Sequence, residues 1–148
     1  MASLPLSFFL ARVVIGLCSL QCTLKEKIMF FVDRSIAIIK PKQPFLDWLN
    51  QQAGNEVELT LAELRTDCTV IMVPEAEEQE DVINHIDDIA DKLFEMELSS
   101  WFADPNLWPA SRSLKVFWDW FDVEVHLAVF DSVEAEISNS PMTDNFDA

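Results

Sequence analysis

The sequence predicts an α+β fold in which about four helices cover a small three-stranded mixed sheet, with a small α/β arrangement of parallel strands as the alternative. Two short apolar runs rich in β-branched residues, 36–39 and 69–73, each end near a proline, Pro41 and Pro74, as buried strands do. Residues 122–131 alternate, with Val123, Val125, Leu127 and Val129 on one side and Glu124, His126, Ala128 and Phe130 on the other. Before that strand, residues 77–98 repeat apolar side chains at helical spacing. Strands joined through helices favour parallel pairing, although three strands form a mixed sheet equally well.

Residues 1–28 differ in composition from the remainder of the chain. The first 24 carry one charge, Arg12, ahead of the cluster Lys25, Glu26 and Lys27. No base precedes the apolar stretch 4–10, which Pro5 and Ser7 interrupt. It makes a poor export signal and is too short for a membrane span of roughly 20 residues. The segment is expected to be an extension to the fold: sequence upstream of a start at Met29, a weak anchor, or a docked N-terminal helix.

A single globular domain is expected over residues 29–131. Its first strand, 36–39, lies between Arg34 and Lys40. Pro44 then suits a first helical turn, Phe45, Leu46, Trp48 and Leu49 supply an apolar face, and Gly54 with Asn55 stops the helix. Thr60 and Glu63 have capping-box spacing and open a second helix to about Asp67, ahead of the strand at 69–73. In the long helix, Val82, Ile86, Ile89 and Leu93 form one stripe. From Glu75 to Glu97 there are 10 acids and one base, Lys92, and those at the start sit where the helix dipole favours negative charge. Pro105 and Pro109 mark an irregular connection. Ser111 or Ser113 then caps a last helix with Leu114, Phe117, Trp118 and Phe121 on one face. Residues 132–148 hold four acids, no base and few large apolar groups, the composition of a disordered tail.

The whole chain has 26 acids, 10 bases and a formal charge of -16; residues 29–148 alone have 25 acids and 7 bases, a charge of -18. Such a balance opposes direct binding to nucleic acid or anionic lipid, whose phosphates call for Lys and Arg. The two glycines, Gly16 and Gly54, are isolated, so neither glycine-rich phosphate cradle, GxxxxGKS/T or GxGxxG, exists in the chain. Only Cys68 falls within the domain, which excludes a disulfide framework there and points to a reducing, cytoplasmic setting. No cofactor and no membrane contact are expected for residues 29–148.

Two constellations are candidates for chemistry. Trp48 and Trp118 share apolar helix faces with phenylalanines and belong to the core. Trp101, Trp108 and Trp120 lie in or beside irregular or charged sequence and are candidate partner-binding residues. Arg34, Lys40 and Lys42 bracket the first strand and the start of a helix, where backbone N–H groups favour an anion; the bland alternative is that they pair with the surrounding carboxylates. Glu124 and His126 share one side of the last strand and are a weak candidate for a metal or a general base, without a set such as HExxH. Cys68 has no CxxC partner and reads as a small buried hydrophobe.

Arg34-Ser35 ahead of a strand, the run Pro-Lys-Gln-Pro-Phe-Leu-Asp-Trp-Leu at 41–49, the helix leading into Cys68-Thr69-Val70, and Trp-Phe-Asp-Val-Glu-Val-His at 120–126 resemble a family of short acidic bacterial proteins of uncharacterised function. The resemblance spans roughly residues 29–131. It implies a start near Met29 and carries over no activity and no catalytic residue.

The expected function is that of a non-enzymatic interaction domain whose acidic helix meets a basic protein partner. The alternative is a small-molecule anion binder or an enzyme, with Arg34, Lys40 and Lys42 holding the anion and Glu124 or His126 acting as base or ligand. No catalytic residue is assigned, and oligomeric state is not legible.

Overall fold

The computed structural model describes residues 28–52 and 58–142. The chain runs β1 (Phe30–Phe31), β2 (Arg34–Pro41), α1 (Gln43–Gln51), α2 (Leu61–Leu64), β3 (Thr69–Pro74), α3 (Gln79–Ser99), a single 3-10 turn (Pro105–Leu107), α4 (Leu114–Trp120), β4 (Phe121–His126) and β5 (Phe130–Asp131). The fold is α+β. The expectations for residues 1–27, for the stop at Gly54 and Asn55 and for residues 143–148 fall outside the described residues.

β2 is the centre of a three-stranded sheet, between β3 and β4, and it is antiparallel to both: Ile38 lies opposite Val70 on one side and Glu124 on the other. The sheet is therefore neither mixed nor parallel, and the reason lies in the connections. α1 and α2 form an out-and-back excursion, tied where the Asn50 side chain donates to the Leu59 carbonyl at 3.0 Å and accepts from its N–H at 3.1 Å. The chain then re-enters the sheet where it left, with Thr69 opposite Ile39. α3 makes the one full crossover, so β3 and β4 do run in the same direction, as such a connection demands. β2 already occupies the place between them, and each pairs with it instead of with the other.

Local signals account for most boundaries. Pro44 sits in the first turn of α1. The capping box of α2 is formed in both directions, Glu63 N–H to the Thr60 hydroxyl and Thr60 N–H to the Glu63 carboxylate at 2.9 Å. Those bonds hold the Glu63 carboxyl below its ordinary pKa. Ser113 caps α4 by accepting from the Val116 N–H. α4 passes into β4 with no loop, so Phe121 is a strand residue instead of the end of a helical face. The strand expected over 122–131 divides: β4 stops at His126, and β5 pairs with β1, stacking Phe31 edge-on against Phe130 at 4.9 Å. Residues 132–142 form no helix or strand and lie exposed.

All the helices pack on one side of the sheet. Ser35, Ala37, Ile39 and Pro41 point that way from β2 and are buried. Above them Phe45 of α1, Phe94 of α3, Phe117 of α4 and Phe121 of β4 form a fully buried aromatic cluster, with centroids 5.0 to 6.3 Å apart in tilted and edge-on pairs. Ser35 is tolerated at 0 % exposure because its hydroxyl accepts from the Ala76 N–H at 3.2 Å. No helix among the described residues is long and apolar enough to cross a membrane.

Candidate functional site

The structure separates the three candidate bases. Arg34 begins β2 and pairs with its neighbour Asp33 at 3.0 Å. Lys40, at the other end of the strand, donates to Glu124 across the β2–β4 pair. The Lys42 ammonium donates to the Trp118 carbonyl at 2.8 Å, near the negative end of α4, and the Lys42 N–H donates to the Trp120 carbonyl. Lys42 thus fastens α4 to the end of the sheet. None of the three offers an unoccupied cation to the same space.

Lys40 does come together with Glu124 and His126. The His126 Nε2 lies 2.9 Å from Glu124 Oε1, so one carboxylate bridges an ammonium and an imidazole on the open side of the sheet. Hydrogen bonding and charge from Glu124 raise the Lys40 pKa, and hydrogen bonds from Lys40 and His126 lower that of Glu124. Among the described residues no group of three or more His, Cys, Asp and Glu side chains is disposed to hold a metal.

The tryptophans divide as well. Trp120 is half-buried between Phe45, Trp48 and Phe94. Trp108 donates its indole N–H to the Phe102 carbonyl at 2.7 Å and carries the Arg112 guanidinium over its ring. Trp118 is half-buried and donates to Asp87 at 2.7 Å. Trp101, just past the end of α3, is the exposed one of the five, at 44 %.

Trp101 also borders a cleft of about 300 Å³ between the end of α3, the start of β3 and α1. Phe45, Leu64 and Trp101 form its apolar walls, and Cys68, Thr69 and Glu97 its polar ones. Glu97 projects from the apolar stripe of α3, only 8 % exposed, and its Oε1 has no hydrogen-bond partner among the described residues. Burial raises the Glu97 pKa, opposed by the Thr69 side chain. Cys68 is half-buried there; burial raises its pKa too, so it stands as a thiol and not as a reactive thiolate. Composition and motif gave no sign of Glu97. The helical period does, since 86, 90, 93 and 97 fall on one face.

A second, more open cleft lies at the opposite end of the sheet, where Arg34, Met72, Pro74 and His85 meet. Between the two, the outer surface of α3 exposes Glu80, Asp81, Asp88, Asp91 and Glu95. Of these only Glu95 has a cation in reach, Arg112 at 3.7 Å, among the described residues. No protein-family model, no curated protein and no solved structure matches this chain.

Proposed function

We propose that the protein is a non-enzymatic, cytoplasmic interaction module whose acidic α3 face binds a basic protein partner. The observation that carries this reading is the outer stripe Asp81, Asp88, Asp91 and Glu95, spaced by seven, three and four residues so that all lie along one side of the helix, with only Glu95 paired to a base, Arg112, among the described residues. Over 21 residues such a helix extends about 30 Å. Exposed carboxylates without partners repel one another, and a surface that keeps them together is complementary to a basic one. Trp101, exposed at the end of the same helix, adds a large amphipathic contact of the kind that anchors protein interfaces. Cys68, the one cysteine among the described residues and a free thiol, fits a reducing compartment.

Fluorescence anisotropy of a labelled decalysine peptide, titrated with the protein at several salt concentrations, tests the reading. Affinity is expected to fall steeply with salt. Reversing Asp81, Asp88 and Asp91 together to Lys is expected to weaken binding about tenfold, more than three reversals elsewhere at Glu58, Glu134 and Glu136. Equal losses from the two triple variants would show binding to overall charge and would overturn a specific role for α3.

A further inference from the structure

We propose that the cleft beneath Trp101 is a binding site for a primary ammonium on a short alkyl stem, with the Glu97 carboxylate as its counter-ion. A cleft of about 300 Å³ lies at the small end of the range that holds ligands, roughly 300 to 1,000 Å³. Its walls select the class of occupant. Phe45, Leu64 and Trp101 suit an apolar stem, and an indole face attracts a cation. The two ionisable carboxyl groups that line it, Glu97 and Asp67, are joined by no base. Nearby bases are engaged elsewhere: Arg65 donates Nε to the Pro41 carbonyl at 2.8 Å, and Lys40 is taken by Glu124. An anion would therefore meet two carboxyl groups and no base in the lining itself.

Glu97 is what distinguishes this cleft from a packing gap. A carboxyl more than nine-tenths buried, with one oxygen lacking a partner among the described residues, is costly unless something supplies the missing donor. Leucine would serve the apolar stripe of α3 better at this position. An ammonium entering past Trp101 brings donors to the Glu97 carboxyl, whose Oε1 a small side-chain shift must uncover, and the opposite charge that a buried carboxylate lacks. The net charge of the chain, -16, draws such a ligand in at long range.

Two sources could present this chemistry, a free alkylamine and a lysine side chain. Assignment to a partner's lysine rests on the α3 interaction reading; the ammonium site itself does not.

The test is NMR titration of the full chain with n-butylammonium chloride, n-butanol and Nα-acetyl-lysine methylamide, following the Trp101 indole and Thr69 amide resonances. Both amines are expected to give saturable shifts and n-butanol none. Glu97→Gln is expected to abolish the response, and Trp101→Ala, at an exposed position that leaves the fold intact, to weaken it at least fivefold. Tighter binding of the lysine amide than of butylammonium identifies a protein source, and the reverse order a free amine. No saturable response to either amine, or one that Glu97→Gln leaves unchanged, overturns the site. The α3 triple reversal is expected to keep butylammonium binding while losing decalysine, so failure of the cleft and failure of the helix face give different results.

Discussion

On β2, Ser35, Ala37 and Ile39 are fully buried, whereas Ile36 and Ile38, one residue away on the opposite face, are half-covered, and their cross-strand neighbours Val70 and Met72 are more than half exposed. The two faces of the sheet carry similar aliphatic side chains and meet different surroundings. Three helices build the core on the inner face, because Phe45, Phe94 and Phe117 come from α1, α3 and α4 and converge on Phe121, while α2 adds only the partly buried Leu64. On the outer face no described helix lies over Ile36, Ile38, Val70 and Met72, and the charged line Lys40, Glu124 and His126 borders them. Apolar content alone does not decide which face of a strand is covered; the face that collects the aromatic residues of the helices is.

The sharpest way to break this contrast is by truncation on each side. Phe94 is fully buried and stacks against Phe117, Trp120 and Phe121. Phe94→Ala is expected to cost about 3 to 5 kcal/mol, by removing the ring and leaving a cavity that rigid aromatic neighbours cannot close. Ile38→Ala on the outer face is expected to cost about 1 kcal/mol or less, since water already reaches that side. Urea denaturation of both variants measures the difference. Similar costs would mean that the outer face is packed in solution, against a second copy or another part of the chain.

The sequence made the elements more legible than their arrangement. Pro41, Pro44, Pro74, the Thr60–Glu63 box and Ser113 are local devices acting over three or four residues, and the structure places an element boundary at each. Pairing is a long-range property. Nothing within residues 36–39 says that β2 will sit between β3 and β4, and the Asn50–Leu59 clamp that turns the first excursion back is one unremarkable asparagine. The apolar run Ile36, Ala37, Ile38, Ile39 suggests burial on both sides and so conceals the open face. Among candidate residues, the indole partners of Trp108 and Trp118 are a backbone carbonyl and Asp87, six and 31 residues away, which no spacing rule reveals.

A second prediction concerns the one acidic intruder on the inner side. Burial holds the Glu97 pKa above the ordinary carboxylate value, so between the unfolded and folded values the native state retains a proton that the unfolded chain has released. Stability from this group is complete below the unfolded pKa and is lost as pH rises through the folded one. Glu97→Gln does not titrate. The stability of the variant relative to wild type is therefore expected to improve by about 1 kcal/mol or more between pH 4 and pH 8, the scale of an unpaired buried polar group. Parallel thermal melts across that range would read it. A constant difference would show that Glu97 titrates normally in the folded chain.

The smallest expected effect lies on the outer face. Met72 is 51 % exposed on β3, an edge strand of the sheet, and stands beside Ile36. A lysine there can lay its methylenes along Ile36 and Val70 while its ammonium reaches water, and charge on an edge strand opposes pairing with a foreign strand. Met72→Lys is thus expected to change stability by no more than about 0.5 kcal/mol. Sedimentation velocity of the variant over a range of concentrations should show no more self-association than wild type. A loss of several kcal/mol is the informative failure: it would require that Met72 be dehydrated in the native species, and with it the face it shares with Ile36, Ile38 and Val70. The bare side of the sheet would then be a second core, completed by something beyond the described residues, and the asymmetry between the two faces would belong to the isolated chain alone.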